Sequence, residues 1–196
     1  MIRLSLINSA KKKIKLTPDQ LQKYENIIRV DHAGEFGANM IYRGQLDALG
    51  RDHPDAKLIQ HMWDQEKVHL DKFQNELIPK YNIRATSLIP AWRVAGYVLG
   101  YGTAMMGKNA AMACTTAVEE TIVEHYNDQL RELLKDENAT EVHKDMLETI
   151  KKFRDEEQEH HDHGIDNGAE QTPGYKILKQ IIMTGCKVAI EVTKKV

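Results

Sequence analysis

Apolar positions along this chain recur with the period of a helix, not that of a strand. From Leu21 they fall at Ile27, Ile28, Ala38, Tyr42, Leu46 and Leu49, on one helical face. Thr17, Pro18 and Gln20 mark its start: a capping hydroxyl, a proline at the first helical position and a glutamine that closes a capping box. Gly50 ends it. Pro54 opens a second helix that finishes near Pro79, with Ile59, Met62, Trp63, Leu70, Phe73 and Leu77 on one face. Residues 88–106 are the most apolar stretch. After a break at Gly107, a helix runs from about Asn109 to Leu134. Asn138 to Glu141 is another cap signal, for a helix reaching about Ile165 with Ile150 and Phe153 on its apolar side. Thr172-Pro173 opens a last helix, to about Thr193. No alternating run and no hairpin dipeptide lies between apolar runs. The pattern predicts an all-α chain of four long helices with an apolar third and a C-terminal sixth. Residues 18–80 and 109–165 read as one helical hairpin stated twice.

Ionisable residues interrupt these apolar faces. Glu35 lies on the first, Glu119 on the fourth. Glu66 with His69, and Glu157 with His160, are pairs three residues apart, so each pair meets one point beside its helix. Chance alone gives roughly 0.7 such pairs in a chain of this composition, so their number is weak evidence. Their placement is stronger. Solvated residues do not belong on apolar faces. Each pair also follows a lone glutamate by a helix, a turn and part of a second helix. Glu … Glu-x-x-His, stated twice, is the ligand set of the ferritin-like four-helix di-iron bundles. Four buried carboxylates without counter-charge would protonate, whereas two divalent cations cancel them. Carboxylate and imidazole suit iron; thiolates would indicate zinc. In this reading Glu66 and Glu157 bridge two iron ions per chain. Glu35 with His69 completes one ion and Glu119 with His160 the other, leaving positions open for O2. Helical phase selects Glu119 over Glu120. Glu119 shares its face with Met112, Thr115, Ile122, Val123, Tyr126 and Leu130, while Glu120 shares its own with Ala113, Thr116, Glu124, Asn127 and Arg131, a more polar set whose Arg131 is a candidate partner.

The remaining composition narrows the picture. At 196 residues and 41% apolar, the chain has enough for an ample core. A net charge of −2 gives no electrostatic ground for nucleic acid. Cys114 and Cys186 form neither a CxxC pair nor a disulfide framework. Met105, Met106 and Cys114 read as packing residues, and most histidines outside the two pairs read as solvated. Residues 1–16 contain no acid and carry Arg3, Lys11, Lys12, Lys13 and Lys15 with two serines. This is either a mitochondrial transit segment or a basic tail, and residues 17–196 are expected to form one helical domain. Arg93 and Pro90 argue against a membrane span at 88–106 and for a helix lying in an interface or over a cavity.

Four stretches resemble the demethoxyubiquinone hydroxylases of ubiquinone biosynthesis: RVDHAGEFGA (29–38), MWDQEKVHLDKF (62–73), GKNAAMACTTAVEETIVEHYNDQL (107–130) and KKFRDEEQEHHDHG (151–164). The resemblance covers about Asn26 to Val192. It implies a di-iron monooxygenase that hydroxylates the ring of a polyprenyl benzoquinol. It implies peripheral attachment to the matrix side of the mitochondrial inner membrane and a lipid-binding accessory protein as partner. The family's iron ligands fall on Glu35, Glu66, His69, Glu119, Glu157 and His160, and His125 and Tyr126 match a His-Tyr pair beside the site. Phe36 stands where a tyrosine is common. The resemblance makes helices 88–106 and 173–193 the entrance for the isoprenoid tail. No GxGxxG fingerprint is present, so the reductant is a partner reductase or NADH meeting the site directly. The rivals are a ferritin-like iron-oxidising protein, a quinol-oxidising di-iron protein, a rubrerythrin-type peroxidase and a bundle whose metal is only structural.

Overall fold

The computed structural model describes residues 16–196, and every regular element among them is a helix. α1 spans Pro18–Leu49, α2 Ala56–Asp71, α3 Ile89–Met105, α4 Lys108–Leu134, α5 Lys144–Asp166 and α6 Tyr175–Thr193. The basic segment expected at 1–16 falls, but for Leu16, outside the described residues. α1 starts at its capping box, with Gln20 N–H donating to Thr17 Oγ1 and Thr17 N–H to Gln20 Oε1. It packs on α2, and α4 packs on α5, so the doubled hairpin of the sequence is a pair of helix pairs. Together they form a ferritin-like bundle. Tyr24, Ile28, Phe73, Leu133, Ile150 and Phe153 fill one end of its core. Tyr42, Ile59, Met62 and Met112 fill the other. Each such side chain contributes about 1.5–3 kcal/mol by leaving water. Between the two apolar ends lies a buried ionisable layer.

Some details of the helices differ from the expected ones. α2 starts after Pro54, and its helical run ends near Pro79 as expected, at Tyr81. It gets there through a π-helical segment, Lys72–Leu77, and a last turn, Ile78–Tyr81. Pro79 has no N–H to offer the preceding turn, and the widened turns sit just before it. Asn138 does not cap the fifth long helix with its side chain. It leads into a single turn, Ala139–Val142, and the chain breaks at His143 before α5. His143 is fully buried against the Tyr24 hydroxyl. His32 is buried too, so two of the histidines expected in solvent are not there. Met105 and Met106 are largely exposed and do not pack, because they end α3 on its outer side.

α3 lies on α1 at backbone contact. A Cβ on Gly100 would fall 2.0 Å from the carbonyl oxygen of Ile41. One on Gly96 would fall 2.6 Å from that of Gly37, and one on Gly44 2.5 Å from that of Tyr97. Gly44 on α1 and Gly96 and Gly100 on α3 are therefore the positions that admit the facing helix. Gly100→Ala should force α1 and α3 apart and cost about 3 kcal/mol, which lowers the melting temperature by roughly 6–12 °C. Gly102 is exposed and a Cβ there meets nothing within 4 Å. Gly102→Ala should leave the melting temperature unchanged or raise it through helix propensity. Equal melting curves for the two variants would mean that α3 does not seat on α1.

Candidate metal centre

The buried layer contains all six side chains singled out by the doubled pattern. α1 supplies Glu35, α2 Glu66 and His69, α4 Glu119, and α5 Glu157 and His160. Each is at most 4% exposed. Glu35, Glu66, His69 and Glu157 offer ligand atoms within 4.8 Å of one another, and so do Glu66, Glu119, Glu157 and His160. Glu66 and Glu157 belong to both groups. Both histidines point Nδ1 inward. His69 Nδ1 is 3.0 Å from Glu157 Oε1, and His160 Nδ1 is 2.9 Å from Glu157 Oε2 and 3.1 Å from Glu66 Oε1.

The surrounding hydrogen bonds follow an approximate two-fold relation between the hairpins. Tyr126 on α4 donates to Glu35 on α1, and Tyr42 on α1 donates to Glu119 on α4 at 2.8 Å. His69 Nε2 meets Glu156 Oε2 at 2.9 Å, and His160 Nε2 meets Gln65 Oε1 at 3.0 Å. These outer contacts hold each ring with Nδ1 inward, as second partners of metal-bound histidines do. Asn39 adds a tie, donating to the carbonyl of Glu66 at 3.0 Å. Sequence reasoning did not single out Tyr42, Asn39, Gln65 or Glu156. The repeat gave a signal for Tyr42: it stands seven residues after Glu35, as Tyr126 does after Glu119.

Charge within the layer is unbalanced. Burial pushes His69 down, but its bonds to Glu157 and Glu35 outweigh burial and hold it up at about 12. Burial pushes Glu157 up, yet the His160 and His69 rings pull it down to about 2. Burial together with Glu157 holds Glu119 up at about 8. Burial, then Glu157 and Glu35, lift Glu66 well above the usual carboxylate range. Burial also raises Glu35. The chain's own cations thus serve Glu157 and leave its neighbours resisting ionisation. Both oxygens of Glu66 and Oε2 of Glu35 are buried and accept no hydrogen bond. Orphaned carboxylate oxygens grouped with inward imidazole nitrogens fit two divalent cations, whose four charges match four glutamates.

His125 and Tyr126 both border this layer. Tyr126 is 1% exposed. His125 is partly exposed and lies beside Asp31 and Gln129. A cavity of about 30 Å³ touches Glu35, Glu66, Glu119 and Glu157 together with Asp31, His125 and Tyr126. It holds a water or a diatomic molecule, not a ring. A second cavity of about 400 Å³ opens beyond it between α1, α3, α4 and α6. Val30, Gly34, Ala38, Ile122 and Ile190 line both, so the two cavities adjoin at these side chains. Trp92, Leu99, Ile182 and other apolar side chains line the larger one. Glu120 is outside the layer. It pairs with Lys179 and lies 3.5 Å from His161, while Arg131, its expected partner, pairs with Asp128 instead.

Comparison with known proteins bears on what this arrangement does. The family model described as ubiquinone biosynthesis protein COQ7 matches residues 22–193. The human NADPH-dependent 3-demethoxyubiquinone 3-hydroxylase, mitochondrial, is 55% identical over 171 residues, covering 87% of this chain and 77% of that protein. The 3-demethoxyubiquinol 3-hydroxylase of Rhodospirillum rubrum is 45% identical over 179 residues, 91% of this chain and 81% of its own. The 5-demethoxyubiquinone hydroxylase, mitochondrial, of Saccharomyces cerevisiae is 40% identical over 185 residues, 89% of this chain and 79% of its own.

Proposed function

The chain belongs to the COQ7 family of ubiquinone biosynthesis proteins, and on that premise we propose that it hydroxylates the ring of a demethoxyubiquinol-type polyprenyl benzoquinol with two iron ions and O2. The observation that carries the reading is a buried Glu4His2 layer set next to a large apolar cavity, the two sharing a wall of side chains. An iron-oxidising protein has no use for the cavity. Glu35 and His69 would hold one ion, Glu119 and His160 the other, with Glu66 and Glu157 shared. When bound, the ions supply the activation of O2.

The protein's own residues do the rest. Glu156 and Gln65 orient the two imidazoles, and Tyr126 and Tyr42 orient Glu35 and Glu119. The apolar cavity takes the isoprenoid tail and keeps water from the ring. The ring would sit at the end of the large cavity where the two adjoin, toward Tyr126 and His125. The human relative's name specifies NADPH, so the reductant we propose is NADPH, in place of the partner reductase or NADH expected above.

We extend the proposal to a mitochondrial location, which the names of the human and yeast relatives carry, and to peripheral membrane contact. Among the described residues no helix is long and apolar enough to cross a membrane. Exposed Val94, Val98, Tyr101 and Met105 form a stripe along α3, and exposed Ile177, Ile181, Val188 and Val192 form one along α6. Both helices line the large cavity. A bilayer or a lipid-binding accessory protein covering these stripes would deliver the quinol to it.

The test is product analysis. Iron-loaded protein given a short-tailed demethoxyubiquinol, NADPH and ¹⁸O2 should yield a quinol bearing one added labelled oxygen. Oxygen consumption with only quinone as product would replace this reading by quinol oxidation.

A further inference from the structure

The two helices with exposed apolar stripes are also basic. α3 and residues 175–196 hold six basic side chains and one acid, in a chain whose formal net charge is −2. Over the rest of the described residues acids outnumber bases. Lys176, Lys187 and Lys194 recur after eleven and seven residues. At 100° per residue they fall within about 20° of one another, in a row on one side of the stripe of Ile177, Ile181, Val188 and Val192. Some of this charge is used within the fold. Lys187 pairs with Glu124, Lys194 with Glu191 and Lys179 with Glu120. Arg93 is different. It is exposed, its guanidinium lies over Phe36 at 5.4 Å, and it pairs with no carboxylate among the described residues.

Arg93 lines a groove of about 520 Å³ between α1 and α3, together with Phe36, Arg43, Tyr97, Val94 and Val98. Asp47 is outside it, 3.8 Å from Arg43 and accepting from the Tyr97 hydroxyl at 3.1 Å. The groove itself thus holds two guanidiniums and no carboxylate, beside two exposed valines. A guanidinium matches a phosphate with two parallel N–H donors. Exposed valines on a helix that lies in an interface match acyl chains. A soluble phosphate compound has no use for the valines, and a plain hydrocarbon has none for the arginines. A phospholipid uses both. A zwitterionic headgroup brings a cation along with its phosphate, which the row of lysines opposes. A headgroup of net negative charge meets no such opposition.

We propose that the face formed by α3 and α6 docks on acidic phospholipid, with a lipid phosphate held by Arg43 and Arg93 and its chains beside Val94 and Val98. This rests on the reading that the protein contacts a membrane peripherally, and it names the lipid. Docking in this orientation turns toward the bilayer the two helices that line the large cavity.

The test uses the full chain and vesicles of phosphatidylcholine, alone or with about 30% phosphatidylglycerol. One basic side chain near an acidic surface is worth about fivefold in partitioning. Sedimentation should therefore show Arg93→Gln bound about fivefold more weakly than the unmodified chain to acidic vesicles, and equally to neutral ones. Lys57→Gln removes an exposed base from α2, away from this face, and should lose less than about twofold on either. The basic residues 1–15 are the same in every chain compared and so cancel. Trp92 adjoins Arg93 and reports locally. In a Trp63→Phe chain, bromine on the acidic lipid should quench Trp92 more than the same amount of bromine on phosphatidylcholine, and adding Arg93→Gln should erase the difference. Equal losses for Lys57→Gln and Arg93→Gln overturn the proposal, as does quenching that ignores which lipid carries the bromine. Either result leaves peripheral contact standing. Binding of inorganic phosphate by the vesicle-free chain that Arg93→Gln abolishes would make the groove a site for soluble phosphate and overturn the lipid. A chain that binds neither kind of vesicle overturns the membrane reading itself.

Discussion

Replacing Glu66 and Glu157 together by alanine should reduce iron uptake from two ions per chain to none and hydroxylation by more than about a thousandfold. These two carboxylates belong to both ligand groups. Their loss removes half of the anionic charge and the only side chains shared by both positions. What remains at each position is one glutamate and one histidine, too few to hold an open-site divalent ion. Metal analysis after anaerobic loading with Fe(II) checks the first effect. Melting curves check it independently. An ion that binds only the folded chain stabilises it by mass action, by about 2.7 kcal/mol at a hundred times its dissociation constant. Iron should therefore raise the melting temperature of the unmodified chain and leave the double variant unmoved. Undiminished uptake by the double variant would sink the assignment of both bridges.

The all-α class and the four helices that carry Glu35, Glu66, His69, Glu119, Glu157 and His160 were legible because carboxylates and imidazoles at helical spacing on apolar faces must be buried together, and burying them together demands a shared counter-charge. Glu35 alone is an ordinary helical glutamate. It became informative only through Glu119, its equivalent in the second hairpin. The cross-ties were not legible. Tyr42 reads as one more apolar-face residue until the fold places it against Glu119, and only then does Glu-x6-Tyr appear twice with partners exchanged. Gln65 and Glu156 precede their glutamates by one residue. That position falls off the apolar face, so sequence alone has no reason to bring either to a histidine on the opposite hairpin. The buried His143 and the break it makes before α5 depend on Tyr24, 119 positions away. The π-helical turns of α2 reflect a balance between Pro79 and core packing that periodicity does not encode. Exposure of Met105 and Met106 likewise depends on how α3 is seated, which the glycines allow but do not orient.

Glu119→Gln should lose one of the two ions and nearly all hydroxylation, whereas Glu120→Gln should keep both ions and most of the rate. The two residues are neighbours, and 100° of helical phase separates them. Glu119 is 2% exposed, accepts from Tyr42 and sits within 4.8 Å of the ligand atoms of Glu66, Glu157 and His160. An amide there still accepts from Tyr42 but brings no charge, so the ion it would share with His160 loses its anionic partner. Burial and Glu157 already hold Glu119 up at about 8 without metal, so its ionisation is coupled to the cation's arrival. Glu120 is only partly buried and pairs with Lys179 on α6. Losing a partly exposed ion pair costs about 0–1 kcal/mol, a shift of at most about 4 °C in melting temperature. Glu120's own face is not wholly polar, since Ala113 and Thr116 are buried where Gly164 of α5 presses on Thr116. Packing there is close and uncharged. Iron content and initial rate, measured side by side on the two variants, separate the roles. Loss of iron from Glu120→Gln with a full complement in Glu119→Gln would mean that α4 is turned by one residue. The contacts of Tyr126 and Gln129 would then fall with the ligand assignment.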